Sequence, residues 1–163
     1  MSNGSASSTN TSLARMKPHL LPEEIEEFLY GKIPLTRAME IRVESYDNDR
    51  LVITAPLAPN HNHLGTAFGG SLAAIATLAG YSLLWLEMGD KEAHIVIRSS
   101  KLSYDRPVRG AIRAVCVRPS DTILARFRKN YERSGKGRVK LGVTIEEEGN
   151  VCMDFEGIYV AIH

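Results

Sequence analysis

With 163 residues, 44% of them hydrophobic, the chain is long enough to bury one core and needs no second domain. Its 20 Lys and Arg against 19 Asp and Glu leave a formal charge of +1, so no global field favours nucleic acid as a partner. The two cysteines, Cys116 and Cys152, fall in strand-like runs without metal or redox spacing, which argues against a disulfide framework and suits buried thiols in a reducing cytoplasm.

Residues 1–20 read as a disordered tail. Their opening, MSNGSASSTNTS, is small, polar and uncharged and cannot bury enough apolar surface to order itself. No apolar run follows a basic start, so a secretory leader is not expected. The folded domain is expected over residues 21–163. Pro22 to about Gly31 has an N1-type proline, acidic first-turn residues and Ile25, Phe28 and Leu29 on one side, which predicts a short amphipathic helix. Glu40 to Tyr46 and Arg50 to Leu57 flank Asp47-Asn48-Asp49 as a hairpin.

From Leu64 to Leu86 the chain carries no charge, which approaches the ~20 residues of a membrane span. The stretch begins as a Gly/Thr loop, however, its helix is rich in small residues (Ala73, Ala74, Ala76, Ala79, Gly80), and its flanks read as strands. The prediction is a helix buried against a sheet, with no membrane partner. Ala93 to Tyr104 and Gly110 to Val117 read as strands. Ser120 to about Arg133 reads as a capped amphipathic helix with Leu124, Phe127 and Tyr131 inward. Val139, Leu141, Val143 and Ile145 alternate, as do Val151, Met153, Phe155 and Tyr159, on either side of a Gly149-Asn150 turn. Two strands, one long apolar helix and four further strands make an α+β order, with an antiparallel sheet whose concave face the helix fills.

The chemistry is expected where the polar loop Asn60 to Thr66 runs through Gly69 and Gly70 into the long helix. A helix start leaves backbone amides without intrahelical partners, and glycines let a ligand oxygen approach them. The helix dipole favours negative charge at that end. A carbonyl docked against the amides near Gly70 and Ser71 would find an oxyanion hole worth roughly 3 kcal/mol per donor. The same glycines also suit a plain turn before a core helix. No G-x-S-x-G elbow makes Ser71 an activated nucleophile, and G-x-G-x-x-G and P-loop patterns are missing. His61 and His63 share one face of an extended segment but have no Cys, Asp or Glu between His63 and Glu87 to complete a site, so no metal is expected. His63 fits either a general base or a loop histidine capping backbone. Arg118 to Lys140 carries eight cations against Asp121 and Glu132, which suits a phosphate-bearing or acidic partner or simply a solvated face.

The run Asn60-x-Asn62-x-x-Gly65-Thr66-Ala67-Phe68-Gly69-Gly70-Ser71-Leu72, with the later Tyr104-Asp105-Arg106-Pro107-Val108, resembles the hotdog-fold thioesterase superfamily. More closely, it resembles the branch that also occurs fused to acetyltransferase domains. The resemblance covers Pro22 to the C-terminus. It implies a hotdog fold, a cytoplasmic homodimer joined sheet edge to sheet edge or a dimer of such dimers, no cofactor, and substrates carried on coenzyme A or acyl carrier protein. Asn62 matches the loop asparagine of that superfamily, and Gly70 or Ser71 the amide that polarises the carbonyl. Asn60, Thr66, Phe68, Gly69, Tyr104 and Arg106 are the expected substrate contacts.

Many relatives place an Asp or Glu seven residues beyond the second glycine, and here that position is Thr77. Two helical turns bring Thr77 above Gly70, so the geometry is kept while the acid is not. A threonine hydroxyl can orient water but is a poor base near neutral pH, and it also bonds readily to its own helix backbone. Three functions therefore stay open. One is thioester hydrolysis, with Asn62, His63, Gly70, Ser71 and Thr77 as the catalytic set. Another is malonyl-thioester decarboxylation feeding fatty-acid initiation, which some members of the branch are associated with and which needs carbonyl polarisation but no base. The third is a non-catalytic acyl-thioester binding module.

Overall fold

Pro22 opens helix α1 (Pro22–Lys32), with Glu23 and Glu24 in the first turn, where the dipole favours acids. The structure, a computed structural model, describes residues 20–47 and 49–163. The tail expected over residues 1–20 therefore lies outside the described residues, apart from Leu20, which packs against the core. Ile25 and Leu29 of α1 are fully buried. Glu26 shares that face and directs its carboxylate to the Val43 amide at 2.8 Å and the Arg42 guanidinium at 3.1 Å. It thereby ties α1 to strand β1 (Arg42–Tyr46).

Between them lies a one-turn helix, α2 (Leu35–Ala38), which the sequence pattern does not announce. The first strand was expected from Glu40. It begins later because Glu40 sits at φ 55°, outside any strand conformation, and the Ile41 amide closes a turn onto the Thr36 carbonyl. β2 (Arg50–Ala55) pairs antiparallel with β1 through Val43–Ile53 and Tyr46–Leu51, with an irregularity between Val43 and Ser45. It ends before Pro56, which has no amide to donate, and a 3-10 turn over Ala58–Asn60 follows.

Helix α3 (Gly69–Met88) is 20 residues long, about 30 Å. It is long and apolar enough to cross a bilayer, but it lies on β2 and the four later strands with Ile75, Ala76, Ala79 and Leu83 inaccessible to solvent. Trp85 stacks on Phe28 of α1 at 3.9 Å between ring centroids. The remaining elements are β3 (His94–Tyr104), β4 (Ile112–Val117), α4 (Asp121–Ser134), β5 (Lys136–Glu147) and β6 (Asn150–Ile162). The six strands form one antiparallel sheet in the order β1-β2-β4-β5-β6-β3. β3 crosses to the far edge and pairs with β6 along its length, and no other strand among the described residues lies on its other side. The β5–β6 turn is centred one residue earlier than expected: Glu148 (φ 48°) and Gly149 (φ 77°) are both left-handed, as a two-residue hairpin requires, and Asn150 already belongs to β6.

Close approach of α3 to the sheet depends on Gly80. A Cβ there would lie 2.2 Å from the Tyr159 hydroxyl, which is buried against the helix and donates to the Thr77 carbonyl at 2.9 Å. Gly80→Ala is expected to destabilise the fold by about 1–3 kcal/mol through overpacking, read as a shifted denaturant midpoint. Tyr159→Phe in the same chain removes the nearest clashing atom and should recover part of that loss.

Glu87 is the sole charged residue of α3 and is 5% exposed. Its carboxylate accepts from Arg118 at 2.7 Å and 3.2 Å, from Arg128 at 3.1 Å and from the Tyr46 hydroxyl at 3.2 Å. Arg128 also donates to the Glu87 carbonyl at 2.7 Å, satisfying a helix C-terminal oxygen. The hydrogen bond to Glu87 holds the Arg118 guanidinium above its ordinary range, while burial, reinforced by the Glu87 charge, raises the Tyr46 phenol. Two of the eight cations in the basic segment are thus turned inward as structural partners of one buried acid.

Candidate active site

The loop before α3 is built by one side chain. Asn62 Oδ1 accepts from the amides of Leu64 (2.9 Å) and Thr66 (3.2 Å), and Nδ2 donates to Thr66 Oγ1 at 3.0 Å. Its backbone amide bonds the Thr66 carbonyl at 2.7 Å, and Gly65 supplies the left-handed residue (φ 74°) that lets the loop turn back. All of the polar contacts that Asn62 makes among the described residues lie inside the loop. Asn60, expected along the substrate's path, is instead 1% exposed beneath it. Its Nδ2 donates to the carbonyls of Met39 (3.0 Å) and Pro56 (2.8 Å), while its backbone carbonyl accepts from the Phe68 amide at 2.8 Å. It supports the loop from below.

Phe68 occupies the N-cap position of α3 and offers no side-chain cap. The first helical bond runs from the Leu72 amide to the Phe68 carbonyl at 3.1 Å, so the amides of Gly69, Gly70 and Ser71 lie ahead of the intrahelical ladder. The Phe68 ring folds over Gly70, where a Cβ would meet it at 2.3 Å, and the Tyr104 ring lies 3.4 Å from the Cβ position of Gly69. The Tyr104 hydroxyl donates to the Gly69 carbonyl at 3.1 Å. Both residues are more than half exposed, Phe68 at 56% and Tyr104 at 52%, and their rings wall the amide fan. Gly70→Ala should push the Phe68 ring across those amides and lower turnover about a hundredfold with little change in melting temperature. Phe68→Ala in the same chain removes the clash and is expected to restore part of the rate.

Other expected residues stand apart. The Thr77 hydroxyl donates to its own helix, at the Ala73 carbonyl, 2.8 Å away. His63 is exposed and makes no hydrogen bond to a described residue, whereas His61 donates to the Asn62 carbonyl at 2.8 Å. Among the described residues no carboxylate bonds to the loop or to the first turn of α3, and no group of three His, Cys, Asp or Glu side chains is placed to hold a metal. Burial pushes the Cys116 thiol up to about 12 and also raises Cys152, so neither thiol is an activated nucleophile. The link between β3 and β4 is bound to the site by the Ala67 amide, which donates to the Val108 carbonyl at 2.8 Å. That contact was not legible in the residue pattern, because it joins backbone groups far apart in the chain.

An antiparallel sheet wrapped on one long helix, with a glycine-built helix start between two aromatic rings, defines a hotdog-fold protein of the thioesterase class. Residues 22–163 match the family described as Putative thioesterase (yiiD_Cterm), and the chain belongs to that family. Its fold is similar to that of a protein of unknown function from Chlorobaculum tepidum, with 34% identity, a TM-score of 0.81, and coverage of 86% of this chain and 93% of the other. A thioesterase from Shewanella oneidensis, itself described as putative, is 29% identical with a TM-score of 0.78, over 87% of this chain and 97% of the other. A Pseudomonas aeruginosa protein described as "Probable Thioesterase" shares the fold at 23% identity and a TM-score of 0.75, over 88% and 96% of the two chains.

Proposed function

We propose that this chain is a cytoplasmic enzyme acting on acyl thioesters of coenzyme A or acyl carrier protein, polarising the thioester carbonyl at the start of α3. The observation that carries this reading is the uncapped amide fan of Gly69, Gly70 and Ser71, reached past Phe68 and Tyr104. Negative charge that develops on the carbonyl oxygen meets preorganised donors and the positive end of a 20-residue helix. The side of the 11-residue strand β3 that pairs with no strand among the described residues supports assembly as an edge-to-edge homodimer, since an edge that long otherwise remains a liability.

In hydrolysis, water adds to the carbonyl carbon, the oxyanion is held by the amides, and the carbon–sulfur bond then breaks to release acid and thiol. Decarboxylation of a malonyl thioester is the second reading, favoured by the Thr77 hydroxyl being spent on Ala73 where many relatives carry an acid. There the carbon–carbon bond to the carboxylate breaks, carbon dioxide leaves, the amides hold the enolate oxygen, and a proton from water completes the acetyl thioester. The deciding experiment is mass spectrometry of products from malonyl and medium-chain thioesters on both carriers. Free thiol identifies hydrolysis, and acetyl thioester identifies decarboxylation. Tight binding without any product overturns the enzyme reading in favour of a binding module.

A further inference from the structure

We infer that Arg106 and Arg109 form a subsite for the phosphate of a phosphopantetheine-linked thioester, an inference that rests on the thioester reading above. The two arginines lie on either side of Pro107 and Val108 on the link between β3 and β4 and line a shallow hollow of about 350 Å³ with Asn150. Both are exposed, and neither guanidinium makes an ion pair or side-chain hydrogen bond with another described residue.

The segment that carries them is rigidly held on both sides. The amides of Asp105 and Arg106 donate to the Cys152 carbonyl at 2.8 Å and 3.1 Å, and those of Arg109 and Gly110 donate to Glu147 Oε1 at 2.9 Å and 2.7 Å. Glu147 and Glu148 also border the hollow, but one Glu147 oxygen is already committed to those two amides. Glu147 therefore shapes the segment from which the cations project. The chain here touches the helix start twice, through the hydroxyl of Tyr104, the last residue of β3, on Gly69 and through the carbonyl of Val108, in the link, on Ala67. A substrate whose carbonyl lies at the amide fan thus has, on the adjoining segment, two guanidiniums with no side-chain partner among the described residues.

Guanidinium is the side chain best matched to a phosphate, through paired, charge-assisted N–H donors. The stripe of cations on α4 is a poorer candidate. Arg126, Lys129 and Arg133 are exposed on a helix that packs on β5 and meets α3 at its opposite end, where Arg128 bonds Glu87. Coenzyme A and acyl carrier protein both present a phosphate next to the pantetheine arm, so the shared group is the ligand predicted for Arg106 and Arg109.

The test compares thioesters of pantetheine, 4′-phosphopantetheine, coenzyme A and acyl carrier protein bearing the same acyl group. The wild-type chain should prefer the phosphorylated carriers over pantetheine by about ten- to a hundredfold in kcat/KM. In Arg106→Ala/Arg109→Ala that preference should fall towards one, and Arg106→Lys/Arg109→Lys should keep much of it. A preference lost for coenzyme A but kept for 4′-phosphopantetheine and the carrier protein would show that the arginines bind nucleotide phosphates, and would overturn the assignment. Equal use of pantetheine and 4′-phosphopantetheine by the wild type would overturn it too. If no thioester is turned over, the thioester reading fails separately, and calorimetric binding of 4′-phosphopantetheine against pantetheine decides this one. Tighter binding of the phosphorylated compound, lost in the double alanine variant, upholds the subsite, and equal binding overturns it.

Discussion

Glu87→Ala should cost about 3–5 kcal/mol of stability, because it leaves Arg118 and Arg128 facing the vacated site of a buried carboxylate. The Glu87 side chain is 1% exposed and those of its partners 12% and 26%, so solvent replaces little of what is lost. For a chain of this length the loss corresponds to a melting temperature lower by on the order of 10 °C. The network joins the end of α3 to β1 through Tyr46, to the β4–α4 link through Arg118 and to α4 through Arg128. Thermal unfolding of Glu87→Ala beside Arg128→Ala measures it directly. The glutamate variant should be the more damaged of the two, since Arg118 has Asp121 as a second partner at 2.8 Å but both arginines depend on Glu87. A loss below about 1 kcal/mol for Glu87→Ala would place the network among ordinary surface pairs.

Asn62→Ala should reduce turnover by about 10²–10³-fold while leaving the sheet, and any assembly built on its edge, intact. The cause is loss of the shape that presents the α3 amides. The asparagine closes the loop with three side-chain hydrogen bonds, two of them to backbone amides, and one more links it to Thr66 through main chain. Because Asn62 and Thr66 bond each other directly, a double-mutant cycle with Thr66→Ala distinguishes the two ways the side chain can act. If Asn62 works by building the loop, the double variant will be scarcely slower than Asn62→Ala alone. Fully additive losses would mean that Asn62 reaches the substrate independently of Thr66. Steady-state rates on whichever thioester is turned over, with a melting curve for each variant, supply all the quantities needed.

Much of the fold could be read from period and punctuation. β5 alternates as Val139, Leu141, Val143 and Ile145 foretell, and the amphipathic helix α4 buries Leu124 and Phe127, with Tyr131 half-buried beside them. Ser120 caps α4 and Gly135 ends it in the left-handed conformation. These features are local, because side-chain periodicity and capping chemistry act within a few residues. The uncharged stretch before Glu87 likewise announced a buried helix, and its glycines marked where that helix starts. The lone acid at the end of an apolar helix was a signal for the Glu87 network, but its partners come from three other elements and no spacing names them.

What the tertiary structure alone decided is non-local. Strand order is one case: β3 follows α3 in sequence yet pairs with β6 at the far edge, a choice made by packing across the whole sheet. The roles of polar residues are another. Asn60 and Asn62 look alike as loop amides, but one is buried under the loop as a brace and the other closes it, according to which carbonyls and amides the fold brings within about 3 Å. Thr77 stands two turns above Gly70 as the helical repeat requires, and only the rotamer seen in the folded chain turns its hydroxyl onto Ala73. Residue type sets which hydrogen bonds a side chain can make, while long-range packing determines which of them it does make.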